Sequence, residues 1–156
     1  MRLLRTEGDL SAFLLRLTIA LVLFPHGAQK VFGWFGGHGL WPTLQYFQDD
    51  LGIPFLFGVV AVAAEFLGSI SLFFGFLTRV AAFVVAVEMI VAVTLLHLGF
   101  GFFMNWMGQQ KGEGFEYPIL FLGVCLALIL KGGGMWSIDR LLYGRRHRNE
   151  IFLPMH

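Results

Sequence analysis

The run L-S-A-F-L-L-R-L-T-I-A-L-V-L-F-P (residues 10–25) passes without a break into H-G-A-Q-K-V-F-G-W-F-G-G (26–37). The first part is a long apolar stretch whose single charge is Arg16. It leads directly into His26, Gln29 and Lys30 before the glycines of the next turn. Four residues separate His26 from Lys30, so on a helix the two share a face about one turn apart. If the run lies in lipid, an imidazole and an ammonium sit inside the membrane near one end. Ionisable groups there are costly, face a bundle interior and mark a functional site.

Composition places the run in a bilayer. The chain has 156 residues, 57% hydrophobic and 13% charged, against about 25% charged in average soluble domains. Such a chain cannot cover a soluble globule with polar surface. A spanning helix needs roughly 20 residues, and four apolar runs predict helices over 10–34, 54–76, 79–98 and 117–131. The expected fold is all-α: one integral membrane four-helix bundle over 1–156, with no room for a second domain. The net charge of +1 carries no nucleic-acid signal. The lone Cys125 excludes disulfide exchange by this chain alone, which needs a reactive pair, and reads as a buried small hydrophobe. Arg2 and Arg5 before an apolar stretch resemble a signal peptide. Arg16 interrupts the stretch and no small-residue cleavage site precedes His26, so a retained first helix is expected.

The connections carry their own patterns. Pro25 removes a backbone donor and frees the carbonyl of Leu21, predicting a local kink beside His26. Between 35 and 53, after the glycines, Leu40, Leu44, Phe47 and Leu51 recur at helical spacing with Trp41 at the front. This predicts a short helix lying in the membrane interface. The connection 99–115 has an aromatic part and a polar tip. Ser137 reads as the N-cap of a further short helix carrying Ile138, Leu141 and Leu142, followed by a basic tail (140–156) with Arg140, Arg145, Arg146 and Arg148. Lys and Arg gather at the N-terminus, the turn at Arg79 and the tail, whereas the two long connections hold only Lys111. The positive-inside bias therefore puts both termini in the cytoplasm, with Arg79 as a topology anchor contacting lipid phosphate.

Measured at about 1.5 Å per residue from the outer helix ends, the polar groups fall into two layers of the outer half. His26, Glu65 and Glu88 are deep; Lys30, His97 and Glu116 are shallow. Nothing comparable is expected in the cytoplasmic half. Ionised carboxylates in hydrocarbon cost several kcal/mol unless paired, so Glu65, and with it Glu88 or Glu116, is expected to meet Lys30 and His26. A protonatable carboxylate beside an imidazole suits proton-coupled electron transfer to a quinone; it is also what a structural ion pair looks like. Glu65, His26 and Lys30 are the candidate catalytic residues, and Gln29, Trp34, Glu88, His97 and Glu116 the candidate ligand-binding ones. No metal site and no covalently bound cofactor are expected; quinone is the candidate small molecule.

The ordered set H-G-A-Q-K-V-F-G-W-F-G-G (26–37), L-G-I-P (51–54), A-V-A-A-E-F-L-G (61–68), L-T-R (77–79), Met89 with Ala92, His97, F-E-Y-P (115–118) and G-G-G-M-W-S-I-D (132–139) resembles the DoxX family of small four-helix membrane proteins. The resemblance runs across nearly the whole chain. It implies a multi-pass protein of a bacterial or archaeal cytoplasmic (inner) membrane, in a setting of quinone- or thiol/thiosulfate-linked redox chemistry or redox-stress defence. It points to His26, Lys30, Glu65, Arg79, His97, Glu116 and Asp139; Glu88 is less expected at its position.

Two functions compete. In one, a membrane redox subunit binds a quinone or similar molecule, Glu65 and His26 handle protons and Lys30 polarises a quinone oxygen. In the other, a non-catalytic anchor recruits soluble oxidoreductases through the basic tail. A transporter lacks the expected internal repeat, and a cytochrome using His26 and His97 would show a Soret band. Besides the lipid bilayer, soluble redox enzymes and a second copy of the chain are the partners left open, and no nucleic acid is expected.

Overall fold

A computed structural model describes residue 4 and residues 6–151, with side chains through residue 144. Arg2, Arg5 and the side chains of Arg145, Arg146 and Arg148, on which part of the charge argument rests, lie outside the described residues. Among the described residues all regular structure is helical. The order is α1 (Leu10–Phe32), a 3₁₀ turn (Trp34–Gly36), α2 (Leu40–Asp49), α3 (Phe55–Phe74), α4 (Thr78–Ala92), α5 (Glu116–Lys131) and α6 (Ile138–Ile151). Helix α4 continues as a π-helical segment (Val93–His97) and a 3₁₀ turn (Leu98–Phe100).

Three helical stretches are long and apolar enough to cross a membrane: Leu10–Phe32, Phe55–Phe74 and Thr78–Phe100. Helix α5 is apolar but has 16 residues, about 24 Å against a hydrocarbon core of about 30 Å. The short helices expected between 35 and 53 and after Ser137 are present as α2 and α6, which brings the described residues to six α-helices. Helices α1, α3, α4 and α5 alternate in direction around one core, with α1 against α3 and α5 and α4 between α3 and α5. Large apolar side chains such as Leu21, Leu56, Phe57, Leu67, Phe83, Ile90, Leu120, Leu126 and Leu130 point outward and are exposed. An apolar exterior on this scale belongs against acyl chains, and the chain is a membrane protein.

The core is formed by Ile19, Ala20 and Leu23 of α1, Leu72 of α3, Ala81, Ala82 and Val85 of α4, and Phe121, Cys125 and Leu128 of α5. Small residues let the backbones approach, the usual substitute for a hydrophobic drive between helices in lipid. At Gly27 a Cβ would stand 2.8 Å from Phe66 Cα and 3.0 Å from Phe66 N. Gly27→Ala is therefore expected to push α1 from α3 and cost about 1–3 kcal/mol, read as a lower midpoint in thermal unfolding of the solubilised protein.

The helix ends are closed by side chains from elsewhere in the chain. Asp9 caps α1 by accepting from the Ser11 amide at 2.8 Å. Its carboxylate also pairs with Lys131 at the end of α5, and that bond, with Ser11, holds it well below the usual carboxylate range. Asp139, 1% exposed, accepts from the amides of Leu77 and Thr78 at 2.7 and 2.8 Å. It thereby caps α4 from another helix. Ser137 accepts from the Arg140 amide at 3.2 Å and donates to the Gly134 carbonyl at 2.9 Å, the N-cap read from the sequence. Arg79 donates to the carbonyls of Ile129 and Leu130. The guanidinium serves the last turn of α5, whose carbonyls have no helical partners.

The expectation of an unremarkable half opposite His26 is corrected. Arg16 is 0% exposed. Its guanidinium donates to Leu72 O at 2.7 Å, Phe73 O, Gly133 O at 3.0 Å, Met135 O at 3.3 Å and Trp136 O at 3.4 Å. It thus ties the last turn of α3 to the glycine loop before α6. Gly75, with φ +65, lies under this knot, where a Cβ would be 2.5 Å from Ser137 Cβ.

Candidate functional site

Lys30 stands in the last turn of α1 and Glu65 in the middle of α3, and the antiparallel packing around Gly27 brings the two side chains together. They form an ion pair and hydrogen bond, with Glu65 7% and Lys30 28% exposed. The two layers inferred from helix depth are joined here, because the lysine stem is long enough to carry its ammonium about a turn along the apolar wall. Glu88 of α4 is close enough to interact with both Glu65 and Lys30. Two carboxyls facing one ammonium carry one surplus negative charge when all are ionised. One proton, or one hydrogen-bond donor on a bound molecule, offsets it.

This cluster is part of the wall of a cavity of about 500 Å³, within the range of small-molecule sites. His26 and Lys30 of α1, Glu65 of α3, Glu88 of α4 and His97 of the π segment all line it. The rest of the wall is mainly apolar, including Val22, Leu23, Phe47, Leu51, Ala61 and Phe121. Phe47 and Leu51 bring α2 and the turn after it to the cavity, and Met104, Trp106 and Glu113 bring in the connection before α5. The interfacial helix read from the sequence therefore also walls the site.

His97 ends the π segment, a helical form that recurs at functional sites. Its Nδ1 lies 2.8 Å from the Glu113 carbonyl oxygen. A carbonyl only accepts, so Nδ1 carries the hydrogen, and in the tautomer this bond selects Nε2 is an acceptor. Among the described residues no hydrogen bond is made to Nε2.

Five of the eight sequence candidates thus share one cavity. The other three are engaged elsewhere. The Gln29 backbone carbonyl receives the amides of Gly33 and Gly39, both at 3.1 Å, and its side chain donates to Phe35 O at 3.0 Å. It shapes the turn that follows α1; there a Cβ on Gly37 would come 2.4 Å from Gln29 O. Trp34 packs on Phe32 at 4.9 Å between ring centroids, with about half its surface exposed. Glu116 accepts from the Met104 amide at 3.3 Å and its own amide donates to Phe102 O at 2.8 Å. It anchors the connection that brings Met104 and Trp106 to the cavity. Glu113 and Tyr117 line the cavity although neither is a sequence candidate for the site, and so does Met89, quoted above only for the family resemblance. Met89 is four residues before the π segment, but no side-chain pattern announced where 104–113 would fold.

The DoxX family profile matches residues 11–98. The chain is similar to a Bacillus subtilis (strain 168) protein named "Putative oxidoreductase CatD", 28% identical over 142 residues, which are 90% of this chain and 94% of the relative. It is similar to the inner membrane protein YqjF of Escherichia coli (strain K12), 28% identical over 134 residues, 86% of this chain and 93% of the relative. A Mycobacterium tuberculosis membrane protein is 32% identical over 157 residues, covering 92% of this chain and 88% of the relative. No solved structure matches the chain. With the profile spanning more than half its length and carrying both Lys30 and Glu65, the chain belongs to the DoxX family.

Proposed function

We propose that this protein binds a quinone, or a similar small redox-active ring, in the cavity bounded by Lys30, Glu65 and Glu88, and acts there in quinone- or thiol/thiosulfate-linked electron transfer. The observation that carries the reading is the buried Lys30–Glu65 pair with Glu88 beside it, set in an otherwise apolar wall. A structural ion pair would need no cavity. An apolar ligand with polar oxygens needs both an apolar wall and a few placed polar groups. In this reading Lys30 donates to a ligand oxygen, while Glu65, Glu88 and His26 hold and pass protons. Electrons come from a bound reductant or a partner enzyme. The relative whose name carries the word oxidoreductase supports the setting, and the E. coli relative named as an inner membrane protein supports the location.

In the same reading α1, α3, α4 and α5 all cross the bilayer, with both termini cytoplasmic and the cavity in the outer half. Short α5 crosses with help from local thinning or from its flanking residues. Filling the cavity tests the proposal. Ala61 lines it, so Ala61→Phe is expected to leave a folded protein whose affinity for a short-chain quinone falls at least tenfold. Unchanged affinity would show that the ligand binds somewhere else.

A further inference from the structure

The cavity wall mixes donors, from Lys30, Trp106, Tyr117 and His26, with carboxyl groups and the ring of His97. Lys30 is the cationic donor within it, and it is already bonded to Glu65. Against it stand two carboxyl groups, Glu65 and Glu88. At His97 the Glu113 carbonyl takes the Nδ1 hydrogen, which selects the tautomer whose Nε2 is an acceptor. A carbonyl oxygen brought to that ring finds a lone pair facing a lone pair. A hydroxyl finds a partner.

From this, and resting on the cavity being the ligand site, we infer that His97 is the specificity-determining residue that makes the site prefer a hydroxyl-bearing ring, the hydroquinone form, over the corresponding quinone. The two forms have nearly the same shape and apolar area, so the apolar wall cannot distinguish them. Hydrogen-bond polarity can, because burying an oxygen opposite an acceptor leaves both groups unsatisfied. The Glu113 bond is what makes the ring selective. Without it the imidazole could change tautomer and present a donor to a carbonyl.

The test is anaerobic calorimetric titration of the full chain in lipid nanodiscs with duroquinol and with duroquinone. Duroquinol is expected to bind about tenfold tighter, the factor for one buried hydrogen bond worth about 1.4 kcal/mol. In His97→Asn the side-chain amide can still donate to Glu113 O while the Nε2 acceptor is gone. In His97→Phe both are gone. The preference is expected to shrink below about threefold in both variants, through weaker duroquinol binding, with duroquinone binding no more weakly than to the unmodified protein. Equal binding of the two forms by the unmodified protein, or a full preference surviving in His97→Asn, overturns the assignment of His97 and leaves the ligand site standing. Binding of neither form overturns the ligand site and the inference with it.

Discussion

Arg16→Leu is expected to cost about 3–5 kcal/mol, because each buried carbonyl left without a donor costs about 1–3 kcal/mol, and to leave little folded protein in the membrane. Five carbonyls converge on the guanidinium. Two of them belong to the last turn of α3: Leu72 O otherwise receives only the Gly75 amide at 3.2 Å, and Phe73 O has no intrahelical donor. Leucine matches the apolar surroundings but supplies no donor, so the carbonyls at the centre of the knot are buried unsatisfied. Arg16→Lys is expected to recover less than half of the loss, because an ammonium has three donors and no planar fork to reach both α3 and the loop at 133–136. Thermal unfolding of the solubilised variants measures both. Native-like stability in Arg16→Leu would mean that the knot contributes nothing.

The second large effect is expected at the other end of the bundle. Glu65→Gln should fold, since glutamine keeps the volume and can still accept from Lys30, but quinone-linked turnover in membrane vesicles should fall to background. Lys30→Met should also lose turnover, and should destabilise as well, because it leaves the Glu65 carboxylate, 7% exposed, facing Glu88 without a cation. Breaking a buried pair from one side costs about 3–5 kcal/mol, while replacing both members with apolar groups is often neutral or stabilising. The double variant Lys30→Met/Glu65→Leu is therefore expected to regain stability and remain inactive. Turnover at the native rate in Glu65→Gln would take away the role assigned to the carboxylate. Activity in the double variant would take away the role of the pair.

These two clusters were not equally visible in the sequence. Glu65 and Lys30 stand out because an acid and an ammonium within apolar runs have few ways to be accommodated, and helix depth narrows those ways to one another. Arg16 is also a charge in an apolar run. Its partners, however, are backbone carbonyls from residues 72–73 and 133–136, and a carbonyl leaves no trace in residue type. Residue types alone show Arg16 only as an interruption of the first apolar run. Asp139 was marked by family likeness, yet its role as a cap for α4 depends on α6 folding back beneath the turn at 75–77. Gln29, Trp34 and Glu116 were grouped with the site because they neighbour it in sequence or depth. The structure uses them to build the connections around it. The π segment at 93–97 has no periodicity that separates it from the rest of α4, so the placement of His97 against Glu113 became legible only in three dimensions.

The most direct measurement is mass spectrometry of the small molecules that remain with the protein when it is extracted in a disc of its own membrane, compared between the unmodified chain and Ala61→Phe. A quinone-type molecule retained near one per chain, and lost from the filled-cavity variant, is the predicted result. Ordinary lipids alone, in equal amounts from both proteins, would contradict a ligand site at Lys30, Glu65 and Glu88.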